Sequence, residues 1–192
     1  MDLLVSYYWN HFSRARREVL YLLRKFGDPA PKVERTGVIG IAIVHTSLNN
    51  REVIQKCKEL FKTGFEFRFA IKWVPVDFWC ETSLDSIKKV IDEKVAGGIG
   101  ENETWGMKVE KRRWQKYHTI RIIEYLAAGI NRKVNLSNPE KLIHVDVLGE
   151  RTAISLLKPG ETFSITAGMT VIPRQAKQVA IRAQRVCAPH GT

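Results

Sequence analysis

The sequence predicts an α+β fold, an α/β sandwich in which helices pack on sheets in two successive domains. Three observations support this prediction. A β-branched run over residues 38–44 has the composition of a buried strand, and apolar residues alternate along 65–73 as in a half-buried strand. Elsewhere apolar residues recur at the spacing of amphipathic helices. The expected divisions are residues 1–75, residues 76–175 and a basic tail, 176–192.

The charge of the chain is strongly positive and unevenly placed. Its 192 residues suffice for one ordinary domain or two small ones, and they carry a net charge of +11. Residues 1–75 hold 13 basic and 7 acidic side chains, residues 76–157 hold 13 and 12, and residues 158–192 hold 5 and 1. This composition favours a polyanionic partner.

The cysteines and apolar runs indicate the compartment. Cys57, Cys80 and Cys187 are widely spaced and odd in number, so they predict neither a disulfide framework nor a zinc site. The first residues lack the basic segment of a secretory signal, and no apolar run has the length of a membrane span. We therefore expect a cytoplasmic protein with no membrane partner.

The first predicted elements are a strand over residues 2–9 and a helix after it, with Asn10 and Ser13 as candidate N-caps. Apolar residues share one face of this helix: Ala15, Val19, Leu22, Leu23 and Phe26. Another face carries three arginines and a tyrosine: Arg14, Arg17, Tyr21 and Arg24. This face could lie against a phosphate backbone, or it could be the solvated face that most surface helices show.

The following elements complete the first domain. The run 38–44 is dense enough for a central buried strand, and Asn49, with Glu52 three residues later, has the position of a helix N-cap. With the strand at 65–73, residues 1–75 have the order βαβαβ, which is compatible with a ferredoxin-like layer of helices on a sheet. Pro75 interrupts the last strand and marks the predicted boundary.

The second domain is predicted to begin with a helix opened at residues 82–85 and stopped by the glycines of 97–100. A strand around 105–110 leads into a basic turn, after which Thr119 is the predicted cap of another helix. Residues 143–157 alternate as a β-hairpin does.

The basic turn combines cations with aromatic rings. Its cations are Lys111, Arg112, Arg113 and Lys116. Trp114 and Tyr117 interleave with them, and such rings either stack on unpaired bases or belong to the core. The helix N-terminus beyond the turn suits a phosphate group. We predict Lys111 and Arg112 as the principal RNA contacts, with Arg113 and Lys116 second.

Catalytic motifs are absent from the sequence. It contains no phosphate-loop, nucleophile-elbow, zinc-protease or deaminase pattern. The five histidines are scattered, without partners at metal-ligand spacing. We therefore predict no catalytic residues, no metal and no cofactor, and we expect a protein that is not an enzyme.

Residues from about 76 to 157 resemble a THUMP domain, an RNA-binding module found attached to tRNA-modifying enzymes. The resemblance rests on the strand 105–110 running into Lys111 and Arg112, the helix at Thr119, the loop 136–140 and the hairpin 143–157. Residues 1–75 resemble the ferredoxin-like domain that commonly accompanies THUMP. In the family the two domains grip tRNA together around its acceptor end, which implies that Arg14, Arg17 and Arg24 join the same RNA surface.

The resemblance also implies a function. Many THUMP proteins carry a catalytic domain, which we do not expect in the few residues after the module. The chain is similar to the adaptor that helps an RNA cytidine acetyltransferase make N4-acetylcytidine in the D arm of tRNA, and it has no acetyl-CoA-binding turn of its own. This implies a tRNA-binding adaptor with an RNA cytidine acetyltransferase as its partner. Three alternatives stay open: a stand-alone RNA-modifying or RNA-processing enzyme with an unrecognised active site, a general structured-RNA-binding protein, and a protein-interaction module.

Overall fold

The computed structural model describes residues 1–166 of the chain. They form an α+β fold, as predicted, in two compact units. The first unit contains Met1–Trp79 together with residues 160–166, and the second contains Cys80–Pro159. The predicted boundary after Pro75 lies a few residues before this division, and the return of 160–166 to the first unit was not predicted. The predicted basic tail, 176–192, lies outside the described residues.

The described helices and strands follow one another along the chain as β1 (Asp2–Tyr7), α1 (Phe12–Lys25), β2 (Lys32–Arg35), β3 (Ile41–His45), α2 (Asn50–Lys62), β4 (Ala70–Val76), β5 (Phe78–Glu81), α3 (Leu84–Val90), β6 (Trp105–Arg112), α4 (Thr119–Ala127), β7 (Lys141–Leu148), β8 (Arg151–Leu157) and β9 (Phe163–Ser164). A π-helical turn, Ile91–Val95, and a 3₁₀ turn, Ala96–Gly98, continue α3.

The sheet of the first unit has the strand order β2-β3-β1-β4-β9, and its described pairings are antiparallel. Up to Val76 the chain runs βαββαβ, which is the ferredoxin-like arrangement, with β1 in the middle of the sheet. The predicted order βαβαβ therefore missed one strand. That strand is β2, a short and mostly exposed segment in which only Val33 is buried.

Two strands begin later than predicted. β3 starts at Ile41 because the chain turns at Gly40, whose φ of 88° suits glycine and few other residues. β4 starts at Ala70, because the amides of Arg68 and Phe69 donate to the Glu18 carboxylate on α1 rather than to a neighbouring strand. The prediction of a strand over 65–69 was therefore wrong, although Phe67 is buried.

Pro75 does not end β4, contrary to the prediction. It pairs in register with Leu3 of β1, and the strand continues to Val76. The described pairing of β4 with β9 stops at Trp73. Proline has no N–H to donate to a neighbouring strand. A sheet therefore tolerates it near an edge, where no further strand requires that hydrogen bond.

The two helices of this unit cover the sheet with their apolar faces. The buried residues of α1 are Ala15, Val19, Leu22 and Leu23, as predicted, whereas Phe26, also predicted for this face, is half-buried after the helix ends. Asn49 caps α2 as predicted, accepting hydrogen bonds from the amides of Arg51 and Glu52. The cap of α1 differs from the prediction: it is His11, which makes no side-chain cap bond, and Asn10 adopts a positive φ of 63° in the turn before it.

The second unit has a four-stranded sheet in the order β5-β8-β7-β6. β6 and β7 are parallel, and β7 and β8 form the predicted antiparallel hairpin. Helices α3 and α4 bury Ile87, Ile122 and Leu126, and sheet residues such as Val145 are buried as well. The N-cap of α4 is His118, without a side-chain cap bond, so the predicted cap role of Thr119 was wrong.

Within residues 1–166, every helix is too short or too polar to cross a lipid bilayer.

Candidate nucleic-acid interface

Lys111, one of the two principal contacts predicted from the sequence, is engaged within the second unit. It lies near the end of β6, and its ammonium group donates to the backbone carbonyl of Tyr117. This bond ties the end of β6 to the residue that precedes the cap of α4. The Lys111 side chain therefore holds the two ends of the basic turn together.

Arg112, the other principal contact, forms ion pairs with two acids. Its guanidinium donates to Asp146 of β7 and, at 2.5 Å, to Glu110 of β6. Burial alone lowers the pKa of Arg112, but the two carboxylates outweigh it and hold the pKa above its ordinary value. The Asp146 side chain is 6% exposed and that of Arg112 is 30% exposed, so the pair lies mostly out of water. The guanidinium group of Arg112 is therefore engaged by carboxylates of the same unit.

Glu110, His144 and Asp146 offer ligand atoms that all lie within 4.8 Å of one another. A carboxylate pair with a histidine is a donor set that divalent metals use. Here, however, Arg112 bonds to both carboxylates, and Lys108 pairs with Glu110 at 2.5 Å. Two side-chain cations thus supply the positive charge that the acids require, and a metal ion would have to displace them.

The secondary contacts predicted in the turn are more exposed. Arg113 and Lys116 are exposed, and Arg113 has a positive φ of 59°. The Lys116 ammonium lies 5.5 Å from the centroid of the Tyr117 ring, and that ring meets Trp114 edge to face at 5.7 Å. Trp114 and Tyr117 are both half-buried, so they pack partly on one another.

The arginines predicted on α1 lie on an exposed face. Arg14, Arg17 and Arg24 are all exposed, and within residues 1–166 no carboxylate forms an ion pair with any of them. Tyr21 lies among them and is 56% exposed. Three guanidinium groups that are free of acidic partners in the described part of the chain form a cationic strip on the first unit.

A groove of about 780 Å³ runs between this helix face and the segment 64–69. Its walls hold three arginines and three aromatic rings: Arg14, Arg17, Arg68, Tyr21, Phe65 and Phe69. The Arg14 guanidinium carbon lies 5.6 Å from the centroid of the Phe69 ring, a cation–π distance. The groove therefore combines phosphate-binding groups with ring surfaces.

Glu18 fixes the shape of this groove. Its carboxylate accepts hydrogen bonds from the backbone amides of Arg68 at 2.7 Å, Phe69 at 2.9 Å and Ala70 at 2.7 Å. The one acidic side chain of α1 is thus occupied by the backbone opposite. It positions Arg68 and Phe69 across from the α1 arginines.

The sequence prediction placed two residues of the first unit differently from the structure. Arg68 was assigned to the solvent face of a strand, and Trp9 to the end of β1. Trp9 instead lies after that strand and is 70% exposed, and the amide of the preceding Tyr8 donates to the Phe69 carbonyl at 3.3 Å. Asn10, a residue type that tolerates positive φ, was the available indication that the chain turns there.

The two units define the class of the protein as an α+β chain in which a ferredoxin-like unit is followed by a second unit with a THUMP-like fold, as the sequence predicted. No protein-family model matches the chain. It is 30% identical over 135 residues to the uncharacterized protein MJ0421 of Methanocaldococcus jannaschii, a match covering 68% of this chain and 34% of the relative. The chain therefore spans about a third of that relative's length.

Two solved structures share this fold. PH1313 from Pyrococcus horikoshii aligns with a TM-score of 0.55 and 16% identity over 82% of this chain and 54% of its own. TrmN from Thermus thermophilus aligns with a TM-score of 0.51 and 14% identity over 83% of this chain and 47% of its own. The chain spans about half of each of these structures. At such identities the likeness is one of fold.

The ion pairs of Arg112 generate a stability prediction. We expect Arg112→Ala to lower the free energy of unfolding by about 2–3 kcal/mol, because it leaves the buried Asp146 carboxylate without its cation. The control is Lys116→Ala, which removes an equal charge from an exposed side chain of the same turn. Urea unfolding followed by circular dichroism measures both variants. Equal unfolding midpoints would show that the pair with Asp146 is not structural.

Proposed function

We propose that the protein binds structured RNA, tRNA in the first instance, through the first unit. The observation that supports this most directly is the groove between α1 and the segment 64–69, where Arg14 and Arg17, which have no acidic partner in the described chain, lie beside aromatic rings. Polyphosphate backbones are attracted by such clusters, and the charge of +11 acts in the same direction. The ferredoxin-like and THUMP fold adds support, since the sequence resembles a family that binds tRNA.

In this proposal Arg14 and Arg17 contact phosphate oxygens. A guanidinium presents its N–H donors in a fork that matches two phosphate oxygens, and neutralising a phosphate releases condensed counterions. Affinity then falls steeply with salt and depends little on base sequence. The four cations of the basic turn remain candidate contacts of the second unit. We place Lys111 and Arg112 after Arg113 and Lys116, because their charged groups also bond within that unit.

A narrower proposal concerns the role of the bound tRNA. We propose that the protein is an adaptor that presents tRNA to a separate RNA cytidine acetyltransferase, which makes N4-acetylcytidine in the D arm. The support is the resemblance of the sequence to that adaptor family and the lack of a catalytic motif in the sequence. The competing candidate is an RNA-modifying or RNA-processing enzyme whose active site has no recognised pattern.

The binding site predicts the behaviour of a double variant. We expect Arg14→Ala with Arg17→Ala to weaken tRNA binding at least tenfold at about 0.1 M salt. The slope of log affinity against log salt should become shallower by about one unit for each phosphate that the variant no longer neutralises. Filter binding or fluorescence anisotropy across a salt series measures both quantities.

A matched control separates position from net charge. Arg16→Ala with Lys62→Ala removes the same charge from the same unit, and both side chains are exposed and lie outside the groove. This control should bind nearly as the parent does. Equal weakening in the two double variants would mean that the groove is not the site.

The adaptor role has its own test. Purified protein incubated with unmodified tRNA and common group donors should produce no new nucleoside by mass analysis. The same reaction should yield N4-acetylcytidine when it includes the acetyltransferase recovered with the protein by pull-down from native extract. The yield should fall with the Arg14→Ala, Arg17→Ala variant. A modified nucleoside made by the protein alone would contradict the adaptor role and support the enzyme alternative.

A further inference from the structure

The groove of the first unit holds more aromatic surface than phosphate binding requires. Its three rings, those of Tyr21, Phe65 and Phe69, differ in how they are held. Phe65 lies 5.2 Å from the buried Phe67 ring, edge to face, and Phe69 lies 5.6 Å from the His11 ring. These two rings are half-buried and fixed by neighbours.

Tyr21 is held differently. It is 56% exposed, and among residues 1–166 no other ring contacts it and no hydrogen bond to its hydroxyl is formed. Leaving a tyrosine in water on a helix forgoes the burial that usually stabilises such a ring. Because it stands on a regular helix, its backbone is fixed, while its ring is open to solvent. An accessible ring on a fixed backbone can stack on a base.

Two arginines precede this ring along the helix axis. With a rise of about 1.5 Å per residue, Arg17 lies about 6 Å and Arg14 about 10 Å from Tyr21 along α1. Arg68 faces them across the groove, and its ion pair with Glu66, at 3.4 Å, joins two side chains that are each more than 70% exposed. Such an exposed pair is weak and readily exchanged for a phosphate.

We propose that this groove is a stacking site for an unpaired base of the bound RNA, with Tyr21 as the stacking ring and Arg14, Arg17 and Arg68 on the flanking phosphates. The proposal rests on the RNA-binding function above and names the kind of RNA that the site selects. Bases inside a helix have their faces covered by their neighbours, so a ring can stack only on bases in a loop, a bulge or a single-stranded end. The groove thus takes a single-stranded segment next to a duplex.

Glu18 is the positioning residue of this site. Its carboxylate accepts hydrogen bonds from the amides of residues 68–70 and thereby holds the far wall of the groove, and within residues 1–166 it forms no ion pair with an arginine. The volume of the groove, about 780 Å³, lies within the range of small-ligand sites in proteins. This volume is larger than one nucleobase requires.

The test compares two RNAs that share one stem. One is a blunt hairpin, and the other carries an unpaired tail of about four nucleotides, tried at either end. We expect the parent protein to bind one tailed hairpin about 5- to 100-fold more tightly than the blunt one, the range that stacking of a base on an aromatic ring contributes. In Tyr21→Ala this affinity ratio should fall to near one, whereas Tyr21→Phe, which keeps the ring, should retain it.

The control variant is Tyr125→Ala. Tyr125 is an exposed tyrosine of the second unit, 42% exposed, and its removal should leave the ratio at the parental value. A second readout is the fluorescence of 2-aminopurine placed in the tail, which should be quenched by the parent and by Tyr21→Phe but not by Tyr21→Ala.

The outcomes separate the two proposals. If the parent binds tailed and blunt hairpins equally, or if Tyr21→Ala keeps the ratio, the stacking site is wrong while RNA binding stands. If the parent binds no hairpin and no tRNA at about 0.1 M salt, the RNA-binding function is wrong and the stacking site falls with it.

Discussion

The carboxylate of Glu18 is the contact on which the candidate interface depends. It accepts hydrogen bonds from three consecutive backbone amides, at 2.7, 2.9 and 2.7 Å, and hydrogen bonds to a charged acceptor are among the stronger ones in proteins. Because those amides point to α1, the chain before Ala70 does not continue as a strand. Arg68 and Phe69 instead face the α1 arginines. One acid therefore shapes the groove, whose walls carry three arginines against the two carboxylates of Glu18 and Glu66.

The two units use their cations in different ways. In the second unit Arg112 lies between Glu110 and Asp146, so its charge is balanced within the fold. In the first unit Arg14 and Arg17 have no acidic partner in the described chain and line the groove. Separating a cation from a carboxylate in a partly buried ion pair is costly, so such a cation is less available to a phosphate group. A phosphate-binding surface is therefore located by which cations lack an acidic partner, and net charge alone does not locate it.

The sequence predicted those parts of the fold whose pattern is local. The buried face of α1, the Asn49 cap and the hairpin over 143–157 all follow from spacings within a few residues, and all were confirmed. The strand predicted over 65–69 failed because phenylalanines can alternate and pack without any strand pairing. The ion pair of Arg112 could not be predicted for another reason: its partner Asp146 is 34 residues away in the chain, on the adjacent parallel strand, and no local pattern reveals it.

Photo-crosslinking of bound tRNA, with mass-spectrometric mapping of the crosslinked peptides, determines whether RNA binds in the groove of the first unit. Aromatic side chains that stack on bases crosslink efficiently, so the location of the adducts reports which rings the RNA touches. We expect adducts in the α1 peptide that contains Tyr21 and in the peptide that spans 64–70. Adducts confined to the second unit, with neither of these peptides modified, would contradict binding in the groove.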